Sequence, residues 1–217
     1  MLTEIKTKTL HYFVDENNLK QGEYKFYHDN GQLWEHTFYQ NGKLHGEYKR
    51  YYNNDQLNVH TFYLNDKLHG EYKDYYYNGQ LSEHTFYLND KRHGEYKEYF
   101  QNGQLWVHSY FQNNICHGEF KSYYQNGDLQ CHFHYINGNY HGKYKQYHSN
   151  GKLQCHFHYQ NGKRHGEYKR YDYDGTLIRA TFYYQDNDLK VNPDSLTEKD
   201  KTYILLSGRL PIRDQSC

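Results

Sequence analysis

The chain is expected to fold as an all-β protein: an elongated single-layer antiparallel β-hairpin repeat, of the solenoid or meander type, with a short C-terminal capping segment. Three observations predict it. The first is a period, because seven copies of one 24-residue text begin at Gly22, Gly46, Gly70, Gly94, Gly118, Gly142 and Gly166 with no insertion or deletion between them. The second is composition. Aliphatic residues are scarce and the mean hydropathy of −1.27 would by itself suggest disorder, yet 29 Tyr and 11 Phe argue for a thin β structure. Aromatic residues favour strands, and a Tyr ring can cover apolar surface while its hydroxyl stays wet. The third is turn chemistry recurring at two places in every copy.

Residues 1–21 resemble a worn half-unit, since His11-Tyr12-Phe13-Val14 and the Asn17 to Gly22 run echo the repeated text with one extra residue. This segment is expected to lay one strand over the first edge of the array, where an open edge would otherwise template aggregation. Residues 22–189 hold the seven tandem repeats, expected as one elongated unit. In the third copy Glu71 to Tyr76 and Gln80 to Tyr87 read as strands. The first turn carries Asn30-Gly31, Asn54-Asp55, Asn78-Gly79, Asn102-Gly103, Asn126-Gly127, Asn150-Gly151 and Asp174-Gly175, pairs that tolerate positive φ. The second opens with Asn41-Gly42, Asn65-Asp66, Asn89-Asp90, Asn113-Asn114, Asn137-Gly138 and Asn161-Gly162 and runs to the His-Gly that begins the next copy. Structural turn glycines are therefore expected at Gly31, Gly79, Gly103, Gly127, Gly151 and Gly175, and at Gly46, Gly70, Gly94, Gly118, Gly142 and Gly166.

Short turns on both sides force antiparallel neighbours, giving about fourteen strands and, at ~4.8 Å each, a twisted ribbon ~65 Å long. Simple alternation places Leu81, Thr85 and Tyr87 on one face and His84 and Phe86 on the other, with Tyr72 facing away from Glu71, Lys73 and Tyr75. Residues 190–217 form the C-terminal cap and tail. Ser195-Leu196-Thr197-Glu198 reads as a capping box opening a short helix through about Leu206, ended by Gly208, although Thr202 to Leu206 also suits a strand. Either form would cap the last edge, with Arg209 to Cys217 a loose tail.

With 26 basic and 26 acidic residues the net charge is zero, which argues against a nucleic-acid partner. No apolar run is long enough for a signal peptide or a membrane span, so an intracellular, cytoplasmic protein is expected. Cys116, Cys131, Cys155 and Cys217 follow no disulfide or zinc spacing. Cys131 and Cys155 would lie ~9.5 Å apart, beyond bridging reach, so free thiols are expected.

The spacing of Tyr72, Tyr75, Asn78-Gly79, Leu81, Phe86-Tyr87, Asn89 and His93-Gly94, recurring seven times over about three quarters of the chain, resembles the variant MORN repeat. That resemblance implies a β-hairpin solenoid used for protein association, with membrane or phosphoinositide binding claimed for some members. Variant arrays of this kind occur in bacterial proteins named as antitoxins and in large DNA viruses. This unit departs from the family in being longer and poorer in glycine, with Asp66 and Asp90 replacing a turn glycine.

Two histidine ladders stand out: His36, His60, His84, His108, His132 and His156, and His45, His69, His93, His117, His141 and His165. A catalytic histidine is singular, whereas a residue present in nearly every copy builds the fold. The second ladder is expected to hydrogen-bond across the turn, and both to weaken the fold in mild acid as charge accumulates. His132, His134, His156 and His158, in the duplicated Cys-His-Phe-His text, are the only metal-ligand candidates. The cysteines point to the opposite face and the pairs lie ~10 Å apart, which speaks against one tetrahedral site. A lysine ladder (Lys25, Lys49, Lys73, Lys97, Lys121, Lys145, Lys169) is shadowed two residues earlier by Glu in every copy except the sixth, where Lys143 stands. Such pairs largely cancel their field.

No nucleophile–base pair or phosphate-binding glycine loop is present, so no enzyme and no cofactor are expected. The expected function is a scaffold binding a protein partner; the alternative is weak peripheral binding to anionic phospholipid through the Lys and Tyr ladders. Individuality is expected where copies differ: Trp34, Trp106, the Cys-His-Phe-His pair, and the row Phe26, Arg50, Asp74, Glu98, Ser122, Gln146 and Arg170.

Overall fold

A computed structural model describes residues 1–211, which form two compact units, Met1–Ile115 and the chain from Cys116 onward. The last six residues, including Cys217 and most of the tail read as loose, lie outside the described residues. Unit 1 holds β1 (Thr3–Lys6), β2 (Leu10–Val14), β3 (Lys20–Tyr27), β4 (Leu33–Gln40), β5 (Lys43–Tyr51), β6 (Leu57–Leu64), β7 (Lys67–Tyr75), β8 (Leu81–Leu88), β9 (Lys91–Tyr99) and β10 (Leu105–Gln112). Each strand pairs antiparallel with the one before it. β11 (Ile115–Cys116) falls at the division. Unit 2 continues with β12 (Gly118–Tyr123), β13 (Leu129–Ile136), β14 (Asn139–Tyr147), β15 (Leu153–Gln160), β16 (Lys163–Arg164), β17 (Gly166–Tyr171), β18 (Leu177–Tyr184) and β19 (Asn187–Asp188), again an antiparallel meander. After it come a 3-10 turn at Pro193–Ser195 and helix α1 (Glu198–Ser207).

The N-terminal segment carries two strands where the sequence shows one. Thr3-Glu4-Ile5-Lys6 pairs with His11 to Val14 and completes a hairpin, and His11 meets Glu4 at 2.8 Å as histidines do in the repeats.

The first turn is a three-residue loop. Gly31 N–H donates to the His28 carbonyl at 2.9 Å while Gly31 sits at φ +86°, the geometry of a type I turn followed by a left-handed residue. The recurring Asn has a specific task, because Asn30 Oδ1 accepts from Gln32 N–H at 3.0 Å, as Asn54, Asn78, Asn102, Asn126 and Asn150 do in their own loops. The second turn is a two-residue connection with both residues left-handed, as in Asn89 (φ 50°) and Asp90 (φ 65°). The aspartates that replace glycine there are explained by a bond between copies: Asp66 Oδ1 accepts Leu44 N–H and Asp90 Oδ1 accepts Leu68 N–H, each at 2.8 Å. A carboxylate that caps the preceding copy offsets the strain of a left-handed non-glycine residue.

Two expectations about local geometry change. Gly46, Gly70, Gly94 and Gly142 lie inside strands β5, β7, β9 and β14, and Gly118 and Gly166 open β12 and β17, so none is in the turn. The turn is only two residues long, and the surplus residues are absorbed as a bulge: Thr61 pairs with Tyr72 and Tyr63 with Leu68, leaving Phe62 opposite the stretch around Gly70 at φ +106°. A second bulge at Ser82 puts Leu81 opposite Tyr75 while Glu83 faces Asp74. The extra residue breaks strict alternation, so Leu81 shares the face of His84 and Phe86 rather than that of Thr85 and Tyr87.

One face is lined by Tyr24, Tyr48, Tyr72 and Tyr96, set edge-on against Tyr39, Tyr63, Tyr87 and Phe111 at 5.4–5.5 Å. Between these rings, in unit 1, Thr37, Thr61 and Thr85 are buried to 0–1 % exposure and each donates its hydroxyl to the carbonyl of Glu47, Glu71 or Glu95. In unit 2 the same position holds Phe133, Phe157 and, in the last repeat, the buried Thr181, whose hydroxyl donates to Asp188. Phe133 stacks on Phe120 at 4.5 Å and on Tyr144 at 5.1 Å, and Phe157 packs on Tyr168 at 4.6 Å.

The C-terminal segment is helical from Glu198. Its capping box is Thr197 with Asp200, not Ser195 with Glu198, because Ser195 is already used in the turn that Asn192 caps. Gly208 ends the helix in the left-handed conformation, as expected. Ile204, fully buried, packs with Phe182 and Leu196. The cap thus covers a face of β18, while Asn187 to Leu189 bond its edge.

Candidate functional site

On the face opposite the tyrosines, each of the first five repeats closes its own charges. Glu23 and Lys25 sit two apart on β3, and His36 stands directly across from Lys25 on β4. Glu23 therefore meets Lys25 at 2.8 Å and His36 at 2.9 Å. The same triad recurs at Glu47–Lys49–His60, Glu71–Lys73–His84, Glu95–Lys97–His108 and Glu119–Lys121–His132, always at 2.8–2.9 Å. Hydrogen bonds from lysine and histidine hold all five carboxyls below the usual range.

Beside each triad lies an aromatic ring on the same face: Phe38, Phe62, Phe86 and Tyr110 stand 5.2–5.3 Å from their histidines. Phe86 and Tyr110 are each 37 % exposed, and Leu64 and Leu88 are exposed as well. Unit 1 therefore presents a row of rings alongside charges that are already paired.

In the sixth repeat this pattern breaks. Lys143 takes the place of the glutamate and stands opposite His158, with Lys145 opposite His156. Among the described residues, neither lysine is within ion-pair distance of a carboxylate, whereas Glu167 is held by Lys201 at 2.6 Å and Lys169 by Asp194 at 2.6 Å. Burial holds His156, His158 and His165 below the usual imidazole range, with Lys143 acting on His158 in the same direction. Two cavities flank these lysines and share them. One, of about 440 Å³, has Phe182 and Leu205 in its lining; the other, of about 520 Å³, has Ile136.

The second histidine ladder does not bond as expected. His45 Nδ1 lies 3.4 Å from Asn65 Oδ1 of the next copy, but the buried Nδ1 atoms of His69, His141 and His165 have no partner among the described residues. These histidines sit in the strand bulge, while the turn N–H groups donate to carbonyls of the preceding copy, as Asp90 does to Leu68.

The metal candidates divide the same way. His132 and His134 lie 5.7 Å apart, ring to ring, and His132 Nε2 is engaged by Glu119 at 2.8 Å. Among the described residues, no group of three or more His, Cys, Asp or Glu could hold a metal ion. Cys131 and Cys155 are free thiols on the other face, either side of Gln146, and burial pushes the Cys155 thiol up to about 11. That leaves it protonated and unreactive at neutral pH.

The variable positions come together in a way the sequence does not show. Across unit 1 the register aligns Phe26, Glu35, Arg50, Val59, Asp74, Glu83, Glu98 and Val107 in one row on the tyrosine face. Its centre is acidic: burial raises Asp74 and Glu83, and Arg92 reaches Glu83 at 3.1 Å. Half of this row comes from second strands, whose contribution depends on the bulge and so escapes simple alternation.

A stack of bulged β-hairpins with bonded turns between copies defines a β-hairpin repeat protein. The MORN repeat variant model matches residues 20–41, 44–65, 68–89, 92–113, 117–137, 140–161 and 164–186, and the chain belongs to that family. No curated protein matches the chain. Among solved structures, alternansucrase in complex with isomaltononaose is similar to 86 % of this chain at 14 % identity and a TM-score of 0.22. The match spans 18 % of that chain, and so low a score carries no argument. No helix among the described residues is long and apolar enough to cross a membrane.

Proposed function

We propose that this chain is a repeat scaffold that binds a protein partner through the ring row of unit 1. The observation that carries the reading is that Lys25, Lys49, Lys73 and Lys97 each pair at 2.8 Å with the glutamate of their own strand. A lysine so engaged contributes little field to a polyanion, while Phe86 and Tyr110 offer apolar area to another protein. The alternative, peripheral binding to anionic lipid through this ladder, would require those pairs to open.

A photo-crosslinker placed at Phe86, used with extract of the native host, and co-sedimentation with phosphatidylserine and phosphoinositide vesicles separate the two. Protein crosslinks that vanish in Phe62→Ser, together with no vesicle binding, support the scaffold. Vesicle binding lost on Lys73→Gln would replace it with the lipid reading.

A further inference from the structure

We infer that the break in the sixth repeat is a docking site for an acidic peptide segment of a protein partner, one that carries apolar residues on both sides of its carboxylates. The inference rests on the scaffold reading and locates a specific site within it. Lys143 and Lys145 project from β14 on the face where every other ladder lysine of the first five repeats is answered by glutamate. Among the described residues no carboxylate answers these two.

The 520 Å³ cavity has no acidic residue in its lining. In the 440 Å³ cavity the acids are Glu167 and Glu198, and both are engaged by Lys201, at 2.6 and 2.9 Å. A carboxylate arriving at Lys143 and Lys145 therefore meets two free ammonium groups, which is the charge complementarity that favours an acidic partner.

The shape of the site selects a peptide over a simple ion. Both cavities share the lysine pair, and each has its own apolar side chains on the lysine face, Phe182 and Leu205 in one and Ile136 in the other. Ile136 is 46 % exposed and Leu205 38 %, so both offer surface that a ligand could cover. Ile136 stands on β13 and Phe182 on β18, four strands away at ~4.8 Å per strand, so they are separated by ~19 Å, the reach of about six extended residues. A segment crossing the strands would seat one apolar side chain in each cavity and hold its Asp or Glu between them.

The test is panning of a random peptide library on the full-length chain, with counter-selection on Lys143→Glu. That variant restores the triad of the other repeats and should fold at least as well, which thermal melting and circular dichroism check; Lys143→Gln, which only removes the charge, is the second variant. The expected result is enrichment of peptides with Asp or Glu flanked by apolar residues about six positions apart. A labelled representative should bind at least ten-fold more weakly to Lys143→Glu and Lys143→Gln, and within two-fold as well to Lys73→Gln. Peptides that bind the Lys143 variants undiminished would overturn the site while leaving the scaffold reading intact. No enriched peptide on any of these chains would count against both. Binding of inorganic phosphate or phosphatidylserine vesicles that depends on Lys143, without acidic peptides, would overturn the peptide assignment in favour of a small anion or a lipid headgroup.

Discussion

The two units are written in one repeated text, yet they solve the same packing problem differently. In unit 1 a small Thr sits between the tyrosine rings and spends its hydroxyl on a backbone carbonyl; in repeats five and six of unit 2 a Phe takes that place and packs on neighbouring rings, before Thr returns at Thr181. The other face diverges in parallel: a closed Glu–Lys–His triad with a Phe or Tyr beside it in unit 1, two unanswered lysines with histidines beside them at repeat six. A fixed backbone period therefore leaves single positions free to convert a self-neutralised surface into a charged, cavity-bearing one. Five of the triads stabilise the sheet and cancel their own field; the sixth repeat, which lacks one and has no substitute partner for its lysines among the described residues, carries the chemical individuality.

The largest expected effect breaks the interior contrast. Phe133→Ala removes a ring that is 5 % exposed and should destabilise unit 2 by about 3–5 kcal/mol. Thr85→Val removes only the hydroxyl bonded to Glu95 and should cost about 1 kcal/mol in unit 1. Guanidinium denaturation followed by segment-resolved hydrogen exchange distinguishes them.

Next come the bulge glycines, whose φ near +100° strains any side chain by about 1–2 kcal/mol. Gly166→Ala should exceed Gly70→Ala in the same assay. A methyl at Gly166 would lie 3.3 Å from His158 Cβ, against 3.7 Å to the nearest atom, Phe62 Cβ, at Gly70.

The smallest effect is the transplanted break. Glu71→Lys should reproduce the sixth repeat in the third and cost about 0.5–1 kcal/mol, while Lys143→Glu should gain a similar or smaller amount. Calorimetry of both variants checks the sign, and equal signs would mean that the triads do not set the difference.

Much of this molecule can be read from one sequence, because each element is written seven times. Strand order, antiparallel pairing, both Asn-centred turns and the Gly208 stop follow from spacing and turn chemistry alone. What was hidden is the extra residue. The bulges at Ser82 and Gly70 leave the 24-residue period intact while changing which side chains share a face, so Leu81 was placed on the wrong side and the second-strand half of the variable row went unseen. The exception at Lys143 was visible as a substitution. Its consequence was not, because the partners of Glu167 and Lys169 come from Asp194 and Lys201 in a segment outside the repeat. The N-terminal hairpin was half legible: Thr3 to Lys6 has drifted too far to match the repeat text, though Glu4 still meets His11.

Acid also separates the units, in a way the histidine ladders by themselves do not suggest. His36, His60, His84 and His108 each face a glutamate at 2.9 Å. The carboxyls of those triads are held low, so their contribution is present above about pH 4.5 and is lost as pH falls through their depressed values. His156, His158 and His165 are also depressed, but in a histidine this means that the folded state resists protonation. The stability tied to them is whole above about pH 6.5 and declines as pH falls towards their folded values. Around them stand Lys143, Lys145 and Lys169 as cations and His141 as a further imidazole, with Glu167 the opposing charge.

Hydrogen exchange at pH 7.5 and pH 5.5, resolved by segment and corrected for the intrinsic rate, tests the central contrast most directly. Amides of β14, β15 and β17 should lose protection at pH 5.5 while those of β5 to β9 keep it, and Lys143→Glu should reduce the loss. Equal loss in both units, or earlier loss in β5 to β9, would contradict the account that the missing triad sets the two regions apart.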